Sequence, residues 1–468
     1  MSLADAIIYG SNEQVKQAIA QGAPLEEIDP YGYTPIIETA IVNSIEKAKI
    51  LLEAGAKPDF SDLTGRTALI WAAENNNYEL CELLLKHGAD PNAYTRAGQP
   101  VLAMPLLRRH ENIKQLLYRY GAKLTFAQDF INGKLLGHRF ELEGRVDVLD
   151  HEGVFTEIEL EGFYLEFNLA IAVESLLDFK NNFGGKHLQK YFDYLDIVIH
   201  GLHNANELIK YQHYLVQLKE VESHINKLIN FKPLVIPVIY TGHAINFIWF
   251  GNLLVRCDRG QFGRDHGTVI IYNMKHPGKM NASFIKNLIY ERQDQYFIDE
   301  VMIDALGLEP IHIMPISTQV SGNCSWANVE AVLPAMLFLL FLNKAGKINK
   351  ETMKNAEEKA INFFDEWVDW DKKRALSFCL QSFRRSGAAR RAAKACLMAA
   401  ILFQKYDFDN KEERLHADRI INIFRENPEY MPILRAYGEV FQYEKSNDLF
   451  KNFMKFMDFY DIDIFPRR

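Results

Sequence analysis

The sequence predicts a multidomain protein: an N-terminal all-α repeat solenoid over residues 1–124, an α+β domain over 125–344, and a helical C-terminal region over 345–468 packed on it. Three observations carry this reading. Glycines recur every 33 residues near the N-terminus, at Gly22, Gly55, Gly88 and Gly121, with a second series at Gly32, Gly65 and Gly98. The middle of the chain then turns to strand-like runs such as RVDVL from Arg145 and TVIIYNM from Thr268. From residue 345 onwards the apolar spacing is almost wholly helical.

Within the first 124 residues, G-x-T-P/A-L/I opens one helix and L-L-x-x-G-A closes the next, as in DPYGYTPII, DLTGRTALI, AGAKPDF and HGADPNA. A motif of this form at a 33-residue period resembles the ankyrin repeat. Thr34 and Thr67 are suited to cap short helices, and the glycines permit left-handed turns at helix ends. A half-capping unit over residues 1–28 precedes three fuller repeats, the last eroded to Pro100-Val101 where Thr-Pro is expected. Such an array binds proteins. The tips at 29–33, 62–66 and 94–98 carry Tyr31, Tyr33, Arg66, Tyr94 and Arg96, residue types enriched in binding hot spots. The L-L-K-H-G-A-D-P-N run also resembles the ankyrin substrates of asparaginyl hydroxylation in animal cells, which would fall on Asn92.

The chemistry is expected in Ser317–Phe341, where a polar loop ends on Cys324 and passes into an apolar helix. A cysteine in the first turn of a helix gains N–H donors and dipole, which favour the nucleophilic thiolate. Gln319 is a candidate oxyanion donor, five residues earlier. A base must come from upstream, since only His416 follows Cys324. In VIPVIYTGHAINFIWFGNLLVRCDR, Gly251-Asn252 suits a two-residue hairpin turn. That turn sets Phe250 opposite Leu253 and His243 opposite Gly260, making His243 and Asp258 diagonal neighbours on one face. A one-residue slip would separate them.

The order His243, Asp258, Gln319, Cys324 resembles the cysteine-protease clan that includes SUMO-protease-like and deubiquitinase-like enzymes and the YopJ-type acetyltransferases. The resemblance covers Tyr240 to Trp326 and implies a Cys-His-Asp site in a cysteine-protease-like domain, with no cofactor and no metal. Ala244 stands where SUMO proteases have Trp, and Asn323-Cys324-Ser325 where they have Asp-Cys-Gly. Peptidase or isopeptidase, acyltransferase and a non-catalytic scaffold built on the same fold all remain open. Among the other histidines (187, 200, 203, 213 and 224), His200 and His203 are three apart, but no carboxylate or cysteine completes a zinc set.

Composition bounds the partners. A hydrophobic content of 48% and charged content of 24% are those of a globular protein. The net charge of −8 gives no general attraction to nucleic acid or anionic lipid, so such contact is left to a local cluster, Arg384, Arg385, Arg390, Arg391 and Lys394. Five scattered cysteines suit a reducing compartment. The N-terminus lacks the pattern of a cleavable signal peptide, and the apolar run Ala331–Leu342 falls short of the roughly 20 residues of a membrane span. The last residues, FMDFYDIDIFPRR, suit a docking or export tail. An ankyrin array joined to a cysteine-protease-like domain resembles the secreted ankyrin effectors of intracellular bacteria. That resemblance implies virulence-related delivery into the cytosol or nucleus of a eukaryotic cell and a host protein partner held by the repeats.

Overall fold

The computed structural model describes residues 2–214, 218–240, 242–319, 322–403, 410–441 and 448–465, without the side chains of residues 213, 214, 218–220, 441 and 449. Two compact units emerge. One comprises Met1–Arg96, Pro100–Ala122 and Gly162–Trp367, and the other Ala97–Gln99, Lys123–Glu161 and Val368–Arg468. These differ from a division at residues 124 and 344, because the hairpin of β1 (Arg145–Leu149) and β2 (Phe155–Glu159) packs with C-terminal helices rather than with the larger sheet.

The repeats form four helix pairs: Leu3–Tyr9 with Asn12–Ala20, Pro35–Ile41 with Ile45–Glu53, Ala68–Glu74 with Tyr78–Lys86, and Ala103–Leu107 with Glu111–Arg119. Thr34 and Thr67 cap their helices, each Oγ1 accepting a main-chain N–H at 3.4 Å, from Ile37 and Ile70. The eroded repeat has no side-chain cap, and its first helix, Ala103–Leu107, is only five residues long. Asp29 and Asp62 stiffen the tips: Asp29 accepts the N–H groups of Tyr31 and Tyr33, and Asp62 those of Thr64 and Arg66.

Beyond the repeats, the first unit holds a five-stranded antiparallel sheet in simple sequence order: β3 (Leu234–Tyr240), β4 (His243–Phe250), β5 (Leu253–Cys257), β6 (Val269–Met274) and β7 (Leu308–Met314). The apolar stretch before Gly251 is two strands, not one. Tyr240 pairs with His243, and Gly242, just before β4, has φ 77°; Thr241 lies outside the described residues. One sheet face buries Ile236, Ile245, Phe247, Leu254 and Ile270 against Ile285, Leu288, Ile298 and Leu306. On the other lies Val332–Ala345, whose Phe338 stacks on His312 of β7 at 5.2 Å. Its apolar residues have no water to face, which is why the stretch shows almost no amphipathic pattern. Together Cys324–Ala345 makes 22 residues of mean hydropathy 1.7, long and apolar enough by composition to cross a membrane, but its most apolar window is wholly buried inside the protein.

After β2 the chain enters a helix, Leu165–Asn181. Its buried face includes Ser175, whose Oγ accepts the Trp367 indole N–H at 2.9 Å. In the second unit the long helix Lys350–Arg385 contributes its last part, followed by Ala388–Phe403, Lys411–Glu426, Met431–Phe441 and Asp448–Phe459. The expected tail is packed through Ile464, which is buried with Phe456 and Met457; residues 466–468 lie outside the described residues.

The basic cluster expected to offer a nucleic-acid contact is divided. Arg390 and Lys394 turn inwards to Asp129, with Lys394 Nζ 2.6 Å from Oδ1 and Arg390 Nη2 2.8 Å from the same oxygen. Arg391 donates to the carbonyls of Phe383 and Arg384, and only Arg384 and Arg385 are exposed. A buried carboxylate shared by two cations stabilises most when all members are present, since removing one leaves an uncompensated charge. Asp129→Ala is therefore expected to cost about 3–5 kcal/mol of stability, and Arg385→Ala next to nothing, as read by urea unfolding of the full chain.

Candidate functional site

The hairpin register is set by the turn. Gly251 carries φ 60°, Phe250 pairs with Leu253, and the ladder runs to Asn246 opposite Cys257. Continuing the register puts Asp258 diagonal to His243, and His243 Nε2 lies 3.0 Å from Asp258 Oδ1. No side chain fits at Gly260, where a Cβ would stand 2.7 Å from His243 Cε1. Asp258 is 0% exposed and saturated: Oδ1 also accepts the Gly260 N–H at 3.1 Å, and Oδ2 accepts Arg256 at 2.7 Å. Arg256 is held in turn by Asp299 at 2.7 Å and by the Phe262 ring beneath its guanidinium.

Cys324 opens the helix Cys324–Glu330 and is half-buried beside His243. With Nε2 engaged by Asp258, Nδ1 is the ring nitrogen left to bond the sulfur. Burial alone raises a thiol pKa, but here the hydrogen bond from His243, the Ala244 N–H, the imidazolium charge and the Ser325 N–H together bring Cys324 below its ordinary value. Burial likewise disfavours imidazolium, yet hydrogen bonds and charges from Asp258 and Cys324 raise His243 to about 9. Asp258 stays below the usual carboxylate range: burial pushes it up, but His243 and Arg256 outweigh that. Both shifts favour the thiolate–imidazolium form over the neutral pair.

The first turn of the Cys324 helix is laced to residues 162–168. Ser325 Oγ accepts the Phe163 N–H at 3.2 Å and Asn168 Nδ2 at 2.8 Å. Gln319, the expected oxyanion donor, is anchored by its main-chain N–H on Arg259 O at 2.9 Å, and its side-chain Oε1 is buried without a partner. Val320 and Ser321 lie outside the described residues.

The repeat tips are only partly the surface expected. Tyr31 is 71% exposed and Arg96 is exposed, while Tyr33 and Tyr94 are half-buried, Tyr33 edge-on to Trp71 at 5.8 Å. Arg66 is corrected outright. At 6% exposure, it stacks over Trp71 at 4.9 Å and Tyr164 at 4.7 Å, and Glu74 lies 3.9 Å away. A guanidinium flanked by two rings packs rather than reaching solvent. Sequence reading missed Leu63, which is 61% exposed beside Gly32. Asn92 is half-buried, its Nδ2 donating to Gly121 O at 3.3 Å.

Comparison with known proteins places the chain. The family model for ankyrin repeats matches residues 3–95 in three copies. No curated protein matches. A solved structure, that of the Legionella effector AnkH, is 38% identical, with a TM-score of 0.90 over 100% of this chain and 98% of that one. The chain belongs to the AnkH family.

In this AnkH-family chain the other histidines have separate partners: His187 lies 3.4 Å from Glu366, His200 stacks on Phe231 at 4.5 Å and His224 meets Tyr211, while the His213 side chain lies outside the described residues. Among the described residues, no group of three or more His, Cys, Asp or Glu side chains is placed to hold a metal. The five thiols differ sharply in environment. Burial pushes Cys81 up to about 12 and Cys379 to about 11, and raises Cys257 and Cys396 too, whereas Cys324 alone is lowered.

Alkylation rates against pH test this ordering. Cys324 should react at least about ten times faster than any other cysteine at pH 6.5, since an ordinary thiol titrates near about 8.5. His243→Gln should abolish the difference; equal rates for all five thiols in the native chain would overturn the ion pair.

Proposed function

We propose that this chain is an effector that acts on a host-cell protein, capturing it with the ankyrin repeats and attacking an acyl group with Cys324. Membership of the AnkH family supports the first part, since the solved relative is a Legionella effector. The second rests on one observation: Cys324, His243 and Asp258 form a hydrogen-bonded chain in which the thiol is lowered and the imidazole raised. This is the arrangement a cysteine-protease-like domain needs.

The chemistry follows from the protonation states. Thiolate Sγ attacks the carbonyl carbon of a peptide, isopeptide or thioester, and the carbonyl electrons move onto oxygen. As they return, the bond to the leaving group breaks, and His243 gives its Nδ1 proton to the departing amine, or to the departing thiolate where the substrate is a thioester. The enzyme is left as a thioester. Neutral His243 then takes a proton from water, for hydrolysis, or from a host amine or hydroxyl, for transfer, and the thiolate is regenerated. Asp258, kept ionised by Arg256, stabilises the imidazolium throughout. Gln319 is proposed to donate to the oxyanion.

Mass spectrometry of a eukaryotic lysate treated with the full chain or with Cys324→Ala tests the reaction. New termini, released isopeptides or new acylation in the wild-type sample alone are expected. Identical product lists, with the same effect on cells expressing either form, would overturn catalysis in favour of a scaffold that works by binding alone.

Recognition is proposed to use the exposed tips, chiefly Tyr31 and Arg96, with Tyr33 and Tyr94 as their half-buried supports. Replacing Tyr31 and Arg96 by alanine should lower capture of the partner at least about thirtyfold, corresponding to about 2 kcal/mol. Circular dichroism should stay unchanged. Retained capture would place recognition elsewhere. Chain recovered from the same lysate also shows whether Asn92, the proposed hydroxylation site, has gained an oxygen atom.

A further inference from the structure

Asn328 lies four residues after Cys324, one helical turn along the same face. It is 0% exposed and both ends of its amide are used. Oδ1 accepts the Arg259 main-chain N–H at 2.6 Å, and Nδ2 donates to the Ala244 carbonyl at 2.7 Å. Those two residues have a particular place: Ala244 follows His243 and Arg259 follows Asp258. The β4–β5 ladder stops at Asn246 and Cys257, so both triad partners stand beyond the last strand-to-strand pair. One amide thus ties the cysteine helix to each strand at the residue next to its catalytic group.

We propose that Asn328 is a positioning residue, which sets the distance of Cys324 from His243 by holding the Ala244 peptide against the helix. This deepens the reading of a thiol site and rests on it. Ala244 works at both ends: its carbonyl group is held by Asn328, and its own N–H favours the charged form of the Cys324 sulfur. Arg259 is braced further. Its Nε donates to Ser317 O at 2.7 Å, Nη1 pairs with Glu330 at 2.7 Å, and its own carbonyl receives Gln319. A shift of the helix by a few tenths of an ångström would therefore reach all four members of the site at once. An apolar side chain at 328 would leave a buried N–H and a buried C=O without their partner.

The test is the pH profile of Cys324 alkylation in the full chain, measured for wild type, Asn328→Ala, Asn328→Asp and Trp367→Phe. Asn328→Asp keeps the acceptor for Arg259 and loses the donor to Ala244. Trp367→Phe removes a buried hydrogen bond to Ser175 elsewhere in the same unit and reports what lost stability alone does. Both Asn328 variants should move the Cys324 profile upwards by about one pH unit or more, a tenfold or greater loss of rate at pH 6.5. Trp367→Phe should keep the wild-type profile. A wild-type profile in a folded Asn328→Ala, or in Asn328→Asp should the alanine variant not fold, overturns the inference while leaving the thiol site standing. An ordinary thiol profile in the wild type itself overturns both.

Discussion

A two-residue turn decides where the chemistry can occur. With Gly251 at φ 60°, β4 and β5 are locked with Phe250 opposite Leu253, and every residue further along inherits its face. His243 and Asp258 meet because they lie beyond the ladder on the same side. A slip by one residue would turn Asp258 away from Arg256 and His243, to the face that packs against Val332–Ala345. The hairpin carries information from a turn to a site some seven residues away, through nothing but main-chain hydrogen bonds and strand alternation.

Once in register, the site is governed by the cost of burying Asp258. A carboxylate with no exposure persists as an anion only if its oxygens are satisfied, and here Arg256, His243 and the Gly260 N–H satisfy them. Arg256 is itself expensive to bury, and Asp299 with the Phe262 ring offsets that cost. The raised His243 is a consequence of this network, and the lowered Cys324 in part a consequence of His243.

Arginine 66 links the two halves of the first unit. Turned inward from a repeat tip, it rests on Tyr164, next to Phe163, whose N–H holds Ser325, the neighbour of Cys324. Packing and hydrogen bonds therefore run without interruption from the second ankyrin tip to the loop of Cys324. The exposed residues of the tips are correspondingly Pro30, Tyr31, Leu63, Thr64 and Arg96.

What the sequence by itself determined is whatever depends on neighbours along the chain. The 33-residue glycine series specified the repeats, because helix caps and left-handed turns are local; Gly251-Asn252 specified the hairpin and with it the pairing of His243 with Asp258. The polar loop passing into an apolar helix singled out Cys324 with Gln319, and the family resemblance joined them to that pair. Tertiary structure alone decided the rest. Whether a tip arginine faces solvent or a tyrosine 98 residues away, as Arg66 does, depends on a contact no local pattern encodes. The division of the basic cluster by Asp129, the pairing of β1 and β2 with C-terminal helices and the two bonds of Asn328 have the same origin. Each joins groups far apart in sequence, and burial, rather than residue type, sets what they do.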